Sequence, residues 1–151
     1  MAKHIGRLVS FGIAKESNRG VGVAAAYWLP LAVLSYDDKV TKIRSALSFG
    51  TINQFGNQSL VAQKWAEGSI ESDIFDKSFG LILLATLGTV SSGSFNSVYK
   101  HTFSLQNDNQ HDSLTLHIDE PGADLVFELA MIEKMELTFL PNDTVKFKIH
   151  F

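Results

Sequence analysis

Three carboxylates at odd-numbered positions, Glu67, Glu71 and Asp73, come nearest in this sequence to a catalytic set. Paired carboxyl groups act as acid and base or nucleophile in glycoside hydrolysis. The spacing, however, places all three along one side of a single predicted strand, where Phe75 is the one aromatic residue that follows them. A solvated acidic strand face is therefore the simpler interpretation.

Other catalytic or metal-binding patterns are weak. His101, His111 and His117 lie on or near neighbouring predicted strands and could converge on a metal ion, but polar strand faces explain them more simply. The chain has no cysteine, which excludes disulfides and thiolate chemistry and fits a reducing compartment. It also lacks nucleophile-elbow, zincin and P-loop motifs and a basic aromatic platform for nucleic-acid bases. We therefore expect a protein that is not an enzyme and that has no cofactor and no metal.

The composition describes the scaffold. With 151 residues, of which 45% are hydrophobic and 19% charged, we expect a single folded domain over residues 1–151. The longest uncharged stretches, residues 21–36 and 78–99, are interrupted by Pro30, glycines and serines, so no membrane insertion is expected. Eleven phenylalanines favour a sheet-rich core.

Period-two alternation dominates the sequence. Residues 134–140 and 144–151 alternate around turn residues 141–143, which predicts a β-hairpin. Residues 101–105 and 113–118 are predicted to form another pair, joined by a polar loop. Further strands are predicted at residues 31–36, 61–75 and 125–131. The predicted fold class is mainly β, an antiparallel β-barrel or sandwich with one flanking α-helix.

The helix is predicted at residues 77–87, after Asp76 as N-cap and before Gly88 as the left-handed stop. Its apolar positions run almost all the way round, so it must be covered on more than one side, either by another subunit or by a loop of its own chain. Two segments lack a firm pattern: residues 1–20, predicted as an N-terminal arm, and residues 37–60, predicted as a long loop.

Charge is distributed unevenly along the chain. Residues 1–64 carry eight Lys/Arg and three acids, whereas residues 65–151 carry five Lys/Arg and thirteen acids, so the halves have net charges of +5 and −8. Such asymmetry is typical of proteins with charged partners. Alternatively, folding intermixes the two halves and removes it.

Several segments, in order, resemble tail tube (major tail) proteins of long-tailed bacteriophages. They are residues 15–20 (KESNRG), 27–30 (YWLP), 64–71 (KWAEGSIE), 76–80 (DKSFG), 101–103 (HTF) and 110–116 (QHDSLTL). The resemblance implies a structural virion protein with one helix beside a β-barrel or sandwich. It implies hexameric rings, stacked head to tail into a tube through which DNA passes without sequence-specific binding. Expected partners are further copies and other tail proteins, and the expected location is the virion tail, after synthesis in the host cytoplasm.

Within that expectation, three groups of residues have hypothetical roles. The lumen-facing candidates are Glu67, Glu71 and Asp73, since carboxylates oppose phosphate adsorption. The inter-subunit or inter-ring candidates are Arg19, Lys39, Lys42 and Arg44. The residues expected to pack the helix against the barrel are Phe79, Leu83 and Leu87.

Alternatives remain open at this stage. Within the same class are a tail-terminator protein and a tube subunit of a secretion-type injection system. A different class is a monomeric β-barrel that binds a small ligand, with Trp28 and Trp65 as pocket candidates. The sequence ends at Phe151 inside a strand pattern, and whether further residues follow is open, as are the host, the tail length and the presence of a sheath.

Overall fold

The structure is a computed structural model that describes residues 8–30, 33–44 and 59–151. Within these ranges the chain is mainly β, with 60% strand and 8% helix. The elements are β1 (Ser10–Lys15), β2 (Tyr27–Leu29), β3 (Val33–Arg44), β4 (Ser59–Asp73), α1 (Phe79–Leu87), β5 (Gly88–Phe95), β6 (Val98–Leu105), β7 (Leu114–Glu120), β8 (Ala123–Ala130), β9 (Lys134–Thr138) and β10 (Lys146–His150).

Two four-stranded antiparallel sheets form a sandwich, which confirms the predicted fold class. Sheet A has the strand order β2-β1-β7-β8, and sheet B has the order β3-β4-β10-β9. β5 and β6 form a separate two-stranded sheet. One core cluster joins the two large sheets and the helix, with buried side chains from β1, β7, β4, β10 and α1. Alternation explains β10, where Phe147 and Ile149 are buried between partly exposed Lys146, Lys148 and His150.

The predicted 134–151 hairpin is present as β9 and β10, with Asn142 in a left-handed conformation at φ 65° in the turn. The other predicted pair is wrong. Residues 98–105 pair with β5, and residues 114–120 pair with β1 and β8. A two-residue turn explains the difference, because Asn96 and Ser97 both have positive φ and close β5 directly onto β6.

The predicted N-terminal arm (residues 1–20) contains a core strand. β1 has Phe11 and Ile13 fully buried on one face and Ala14 buried on the other, and it lies between β2 and β7 in sheet A. Large apolar residues alternate with small ones at Val9, Phe11 and Ile13, so the sequence did carry a short period-two signal for this strand. The predicted long loop at 37–60 is likewise strand at both ends, in β3 and β4. Residues 1–7 and 45–58 of these predictions lie outside the described residues.

The helix begins two residues later than predicted, with Ser78 rather than Asp76 as N-cap, and it ends as predicted at Gly88. Gly88 has φ 95°, and its N–H bonds to the carbonyl of Leu84. Ile82 and Ala85 are the buried helix residues, and neither belongs to the set predicted to pack the helix. Phe79 packs on Phe147 at a ring separation of 5.6 Å, and Phe79, Leu83 and Leu87 are all half-buried.

Gly68 is needed for the close approach of Phe151 to sheet B. Its backbone exchanges two hydrogen bonds with Phe151. A Cβ atom at this position would lie 2.6 Å from both Phe151 Cζ and the carbonyl oxygen of Ser35. The ring of Phe151 therefore occupies the space that a side chain at position 68 would need.

We expect Gly68→Ala to lower the free energy of unfolding by about 1–3 kcal/mol, because the backbone of Ser35 cannot move aside without loss of strand pairing. Urea denaturation followed by tryptophan fluorescence measures this. Gly93→Ala is the matched control, since its Cβ would meet nothing within 4 Å, and it should change stability by less than about 0.5 kcal/mol. Equal midpoints for the two variants would contradict this explanation of Gly68.

Candidate assembly surfaces

The β5–β6 hairpin, called the short hairpin below, extends from the helix with little cover. Its base contacts α1: Gln106 N–H bonds to the carbonyl of Leu87 at 2.7 Å, and the Phe103 ring lies beside Gly80. Towards the turn the side chains are exposed, and three of them are large and apolar: Phe95 (62% exposed), Val98 (59%) and Tyr99 (82%). Two-stranded sheets are marginally stable alone, and clustered exposed apolar side chains mark interaction sites.

The two faces of the short hairpin differ. Register places Phe95 opposite Val98 on one face, and Tyr99 with Ser94 on the other. The turn thus has apolar side chains on both of its faces. Lys100 is the single Lys, Arg, Asp or Glu between residues 88 and 105, so the hairpin is both apolar and weakly cationic.

β3 and β4 form the long hairpin, whose far end is also exposed. All described residues of β3 beyond Lys39, and β4 up to Trp65, are exposed. Ile43 (60% exposed) lies directly opposite Leu60 (68% exposed), although apolar pairs of this size are normally covered. A second uncovered apolar surface therefore lies at this end of the molecule.

A cleft of about 810 Å³ opens between β8, an edge strand of sheet A, and the long hairpin. Three aromatic rings connect the sheets at its base: Phe127 lies 5.8 Å from Tyr36 and 6.5 Å from Phe151. Burial and the nearby Glu120 carboxylate, which accepts a bond from the hydroxyl, raise the pKa of Tyr36. The remaining lining residues include Asp38, Lys64, Trp65, Val126, Glu128, Leu129 and Met131.

A buried carboxylate, Glu16, shapes one wall of this cleft. The residue is only 4% exposed. It accepts hydrogen bonds from Gly20 N–H (2.8 Å), Ser113 Oγ (2.6 Å), Thr115 Oγ1 (3.0 Å) and Leu129 N–H (2.8 Å). Burial by itself raises the pKa of Glu16, but these bonds together lower it below its ordinary value. Glu16 and its four donors are called the Glu16 cluster below.

Leu129 shows the effect of the cluster on the cleft wall. The β7–β8 register shifts between Leu114 and Leu116, and Leu129 adopts φ 57° there. This conformation is unfavourable for a bulky side chain. The bond to Glu16 turns the Leu129 N–H into the protein, and the side chain remains 50% exposed in the cleft.

The segment that follows Glu16 is bound to the loop before β7. Arg19 donates to the backbone carbonyls of Asn109 and His111, and Lys15 pairs with Asp112 at 2.8 Å. The structure thus places Arg19, predicted to contact another subunit, in contacts within its own chain. It also gives residues 15–20 a structural role that sequence reasoning missed.

The predicted inter-subunit lysine Lys39 is likewise engaged within the chain. It hydrogen-bonds Glu67 across the β3–β4 pair, and Asp37 lies 3.7 Å away. The bond to Glu67 is the main cause of a raised pKa of Lys39. Lys42 and Arg44 instead lie on the exposed far end of the long hairpin.

The predicted lumen-facing acids lie on one face of β4, opposite the buried Ile70 and Ser72. This face is not purely acidic, because register places Glu71 opposite Lys148 and Asp73 opposite Lys146. The five acids on it (Asp37, Glu67, Glu71, Asp73 and Glu136) share sheet B with four lysines (Lys39, Lys134, Lys146 and Lys148). Lysines therefore offset most of the acids on this face, but only Lys39 among them comes from residues 1–64, so the neutralisation arises mainly within residues 65–151.

The three central histidines have separate neighbours. His101 Nδ1 lies 2.7 Å from Ser92 Oγ, His117 Nε2 lies 2.7 Å from the carbonyl oxygen of Val23, and His111 Nε2 lies 3.4 Å from that of Gln106. Among the described residues, no group of three or more His, Asp or Glu side chains could hold a metal ion. No helix in the same ranges is long and apolar enough to cross a membrane.

Sequence reasoning missed the short hairpin, the cleft and the Glu16 cluster. A signal for the hairpin was present, since Asn96 and Ser97 separate two β-prone residues, Phe95 and Val98. The cleft and the cluster had no local signal. Their parts lie in or beside β1, β3, β4, β7, β8 and β10, which are distant in sequence.

Comparisons with known proteins give little further information. No protein-family model matches the chain, and no curated protein matches it. Among solved structures, a chain in the six-fold symmetrised cryo-EM structure of the anti-feeding prophage (AFP) baseplate is similar, with 9% identity and a TM-score of 0.48. The match covers 99% of this chain and 91% of the other. So distant a likeness carries no functional argument, and membership of the tail tube family stays a prediction.

We expect Glu16→Gln to lower the free energy of unfolding by about 1–3 kcal/mol at pH 7, because an amide cannot accept all four bonds. The pKa of Glu16 is lower in the folded chain, so its stabilisation is complete above the unfolded pKa of about 4.3 and is lost as pH falls through the folded pKa. The difference between wild type and variant, measured by urea denaturation from pH 7 to pH 3, should therefore shrink at low pH.

Glu133→Gln removes the same charge at an exposed position and is the control for this measurement. Its stability should stay within about 0.5 kcal/mol of wild type across the range. A Glu16→Gln deficit that is as large at pH 3 as at pH 7 would contradict a buried, ionised carboxylate.

Proposed function

We propose that this protein is a structural subunit of a bacteriophage tail that assembles with copies of itself and does no bond-making chemistry. In its specific form, the proposal is a tail tube of hexameric rings stacked head to tail, a conduit for genome delivery. The observation that carries the self-assembly is the pair of exposed hairpins. Large apolar side chains lie uncovered on both, at 59–82% exposure on the short hairpin and 60–68% at Ile43 and Leu60.

Exposure on this scale is costly for an isolated chain. Burying one such side chain gains about 1.5–3 kcal/mol, and the described hairpins hold several of them. Each hairpin also has unpaired backbone edges, which association would cover. The bacteriophage part of the proposal rests on the sequence segments that resemble tail tube proteins, of which residues 15–20 now have a structural explanation.

The geometry favours head-to-tail association. The uncovered apolar surfaces and the cleft are different surfaces of one chain, so contacts between them are heterologous and can close into a ring or propagate as a filament. Lys42 and Arg44 at the far end of the long hairpin are suited to contacts with a neighbouring ring. A lumen position for Glu67, Glu71 and Asp73 stays part of the proposal, although the lysines of β10 reduce the repulsion that this face offers to DNA.

A second candidate function has one observation in its favour. The cleft of about 810 Å³ lies in the range of small-molecule sites and includes Trp65, one of the two tryptophans predicted to line a pocket. Trp28 does not line it and lies instead 6.5 Å from His117 on sheet A. A monomeric ligand-binding protein would leave both hairpins without a use, which makes this the weaker proposal.

Negative-stain electron microscopy and analytical ultracentrifugation of the purified full chain test the proposal. Tubes support the specific form, whereas closed rings that do not stack favour a tail terminator. Tubes alone do not separate a phage tail from a secretion-type injection tube, so the phage assignment is tested by immunogold labelling of virions. A monomer at every concentration, with uniform small particles, would contradict self-assembly and favour the ligand-binding alternative.

The double variant Lys42→Glu, Arg44→Glu should reduce tube yield by about tenfold or more, because it replaces both cations at the proposed inter-ring contact by acids. Its thermal midpoint should stay near that of wild type, since both residues are exposed. Lys77→Glu with Lys134→Glu makes the same charge change on other exposed residues and should assemble normally. Unchanged tube yield in the first variant would remove the inter-ring role of Lys42 and Arg44.

A further inference from the structure

The cleft between β8 and the long hairpin has the features of a receptor for an apolar wedge. Its base is fixed by the contacts among Tyr36, Phe127 and Phe151. Its β8 wall includes Leu129, whose N–H bonds to the buried carboxylate of Glu16. Leu129 has a left-handed backbone that is unfavourable for a bulky residue, and its side chain is half-exposed in the cleft.

The turn of the short hairpin is an exposed apolar segment that could fill such a cleft, and it is called the wedge below. At the turn of the short hairpin, Phe95 and Val98 cover one face and Tyr99 covers the other. A wedge that is apolar on two faces fits a cleft with two walls. The cleft volume of about 810 Å³ is sufficient for a few large side chains.

The net charges of the cleft and of the short hairpin are also opposite in sign. Asp38, Lys64 and Glu128 line the cleft, and Lys64 already pairs with Asp38 at 3.6 Å, which leaves a net negative charge. The short hairpin contributes Lys100 and no acid. The far end of the long hairpin is a poorer match in charge, because Ile43 lies between Lys42 and Arg44 and would bring two cations to a cleft with one net negative charge.

We propose that the turn of the short hairpin of one copy inserts into the cleft of a second copy, with Phe95, Val98 and Tyr99 between β8 and the long hairpin. The wedge is not in the cleft of its own chain, because Phe95 and Tyr99 are 62% and 82% exposed there. Each copy then donates one wedge and accepts another. This contact makes the proposed self-assembly specific, because it names the hairpin and the cleft that meet. It rests on the proposed function in one respect, namely that the same contact repeats from copy to copy.

The absence of native cysteine allows a direct test. Tyr99→Cys and Leu129→Cys are prepared separately, one with a size tag, and are mixed under mild oxidation. A disulfide forms only where Cα atoms come within about 7 Å, so the mixed dimer should exceed either homodimer by about fivefold or more on non-reducing gels. The control replaces Tyr99→Cys by Phe139→Cys, another exposed aromatic position (68%), which should give no such excess.

Circular dichroism first checks that each variant folds, and Val126→Cys, also in the cleft and 50% exposed, replaces Leu129→Cys if that variant does not. An equal yield with Phe139→Cys, or no mixed dimer, overturns the insertion. Microscopy of the wild type under the same conditions separates the two proposals. Assemblies without the cross-link overturn this inference alone. The cross-link without larger assemblies keeps it and contradicts the tube, and the absence of both overturns both.

Discussion

The buried carboxylate of Glu16 is the interaction on which the arrangement of sheet A depends. A charge this deeply buried is tolerated only when hydrogen bonds replace its lost water, and four donors do so here. Those donors lie in the segment after β1, at the start of β7 and in β8, so a single side chain fixes three separate parts of the chain. The conformation of Leu129, and with it one wall of the cleft, follows from this bond.

The exposed hairpins have a different physical basis. Each is built from strong local signals, namely a two-residue turn in one and a long antiparallel register in the other. In both hairpins, contacts with the core define only the base, and the strand pairing defines the rest of the shape. The hairpins can therefore extend into solvent while the sandwich supplies stability. The apolar surface that this leaves exposed on the hairpins is the surface that the proposed contact with another copy would cover.

The sequence predicted what local chemistry determines. The β9–β10 hairpin followed from alternation around residues 141–143, and the end of the helix followed from Gly88. Non-local choices were not predictable. Strand β6 alternates equally well whether it pairs with β5 or β7, and only the conformations of Asn96 and Ser97 decide between them. The Glu16 cluster was hidden for the same reason, since three of its four bonds join residues 97 to 113 positions apart.

In the folded sheet, the charges nearest to the β4 carboxylates are not the ones nearest to them in sequence. The acids of β4 form a negative stripe in sequence, but the neighbours of a strand face are cross-strand residues, and those include Lys39, Lys146 and Lys148. The sheet surface is thus close to neutral over a distance comparable with the Debye length of about 8–10 Å, so its effect on a passing polyanion is small. Electrostatic specificity lies instead where charges have few cross-strand partners, at Lys42 and Arg44 on the far end of the long hairpin and at Lys100 beside the wedge. For the proposed assembly, the residues best placed to direct it are therefore those on the hairpins rather than those on the sheet face.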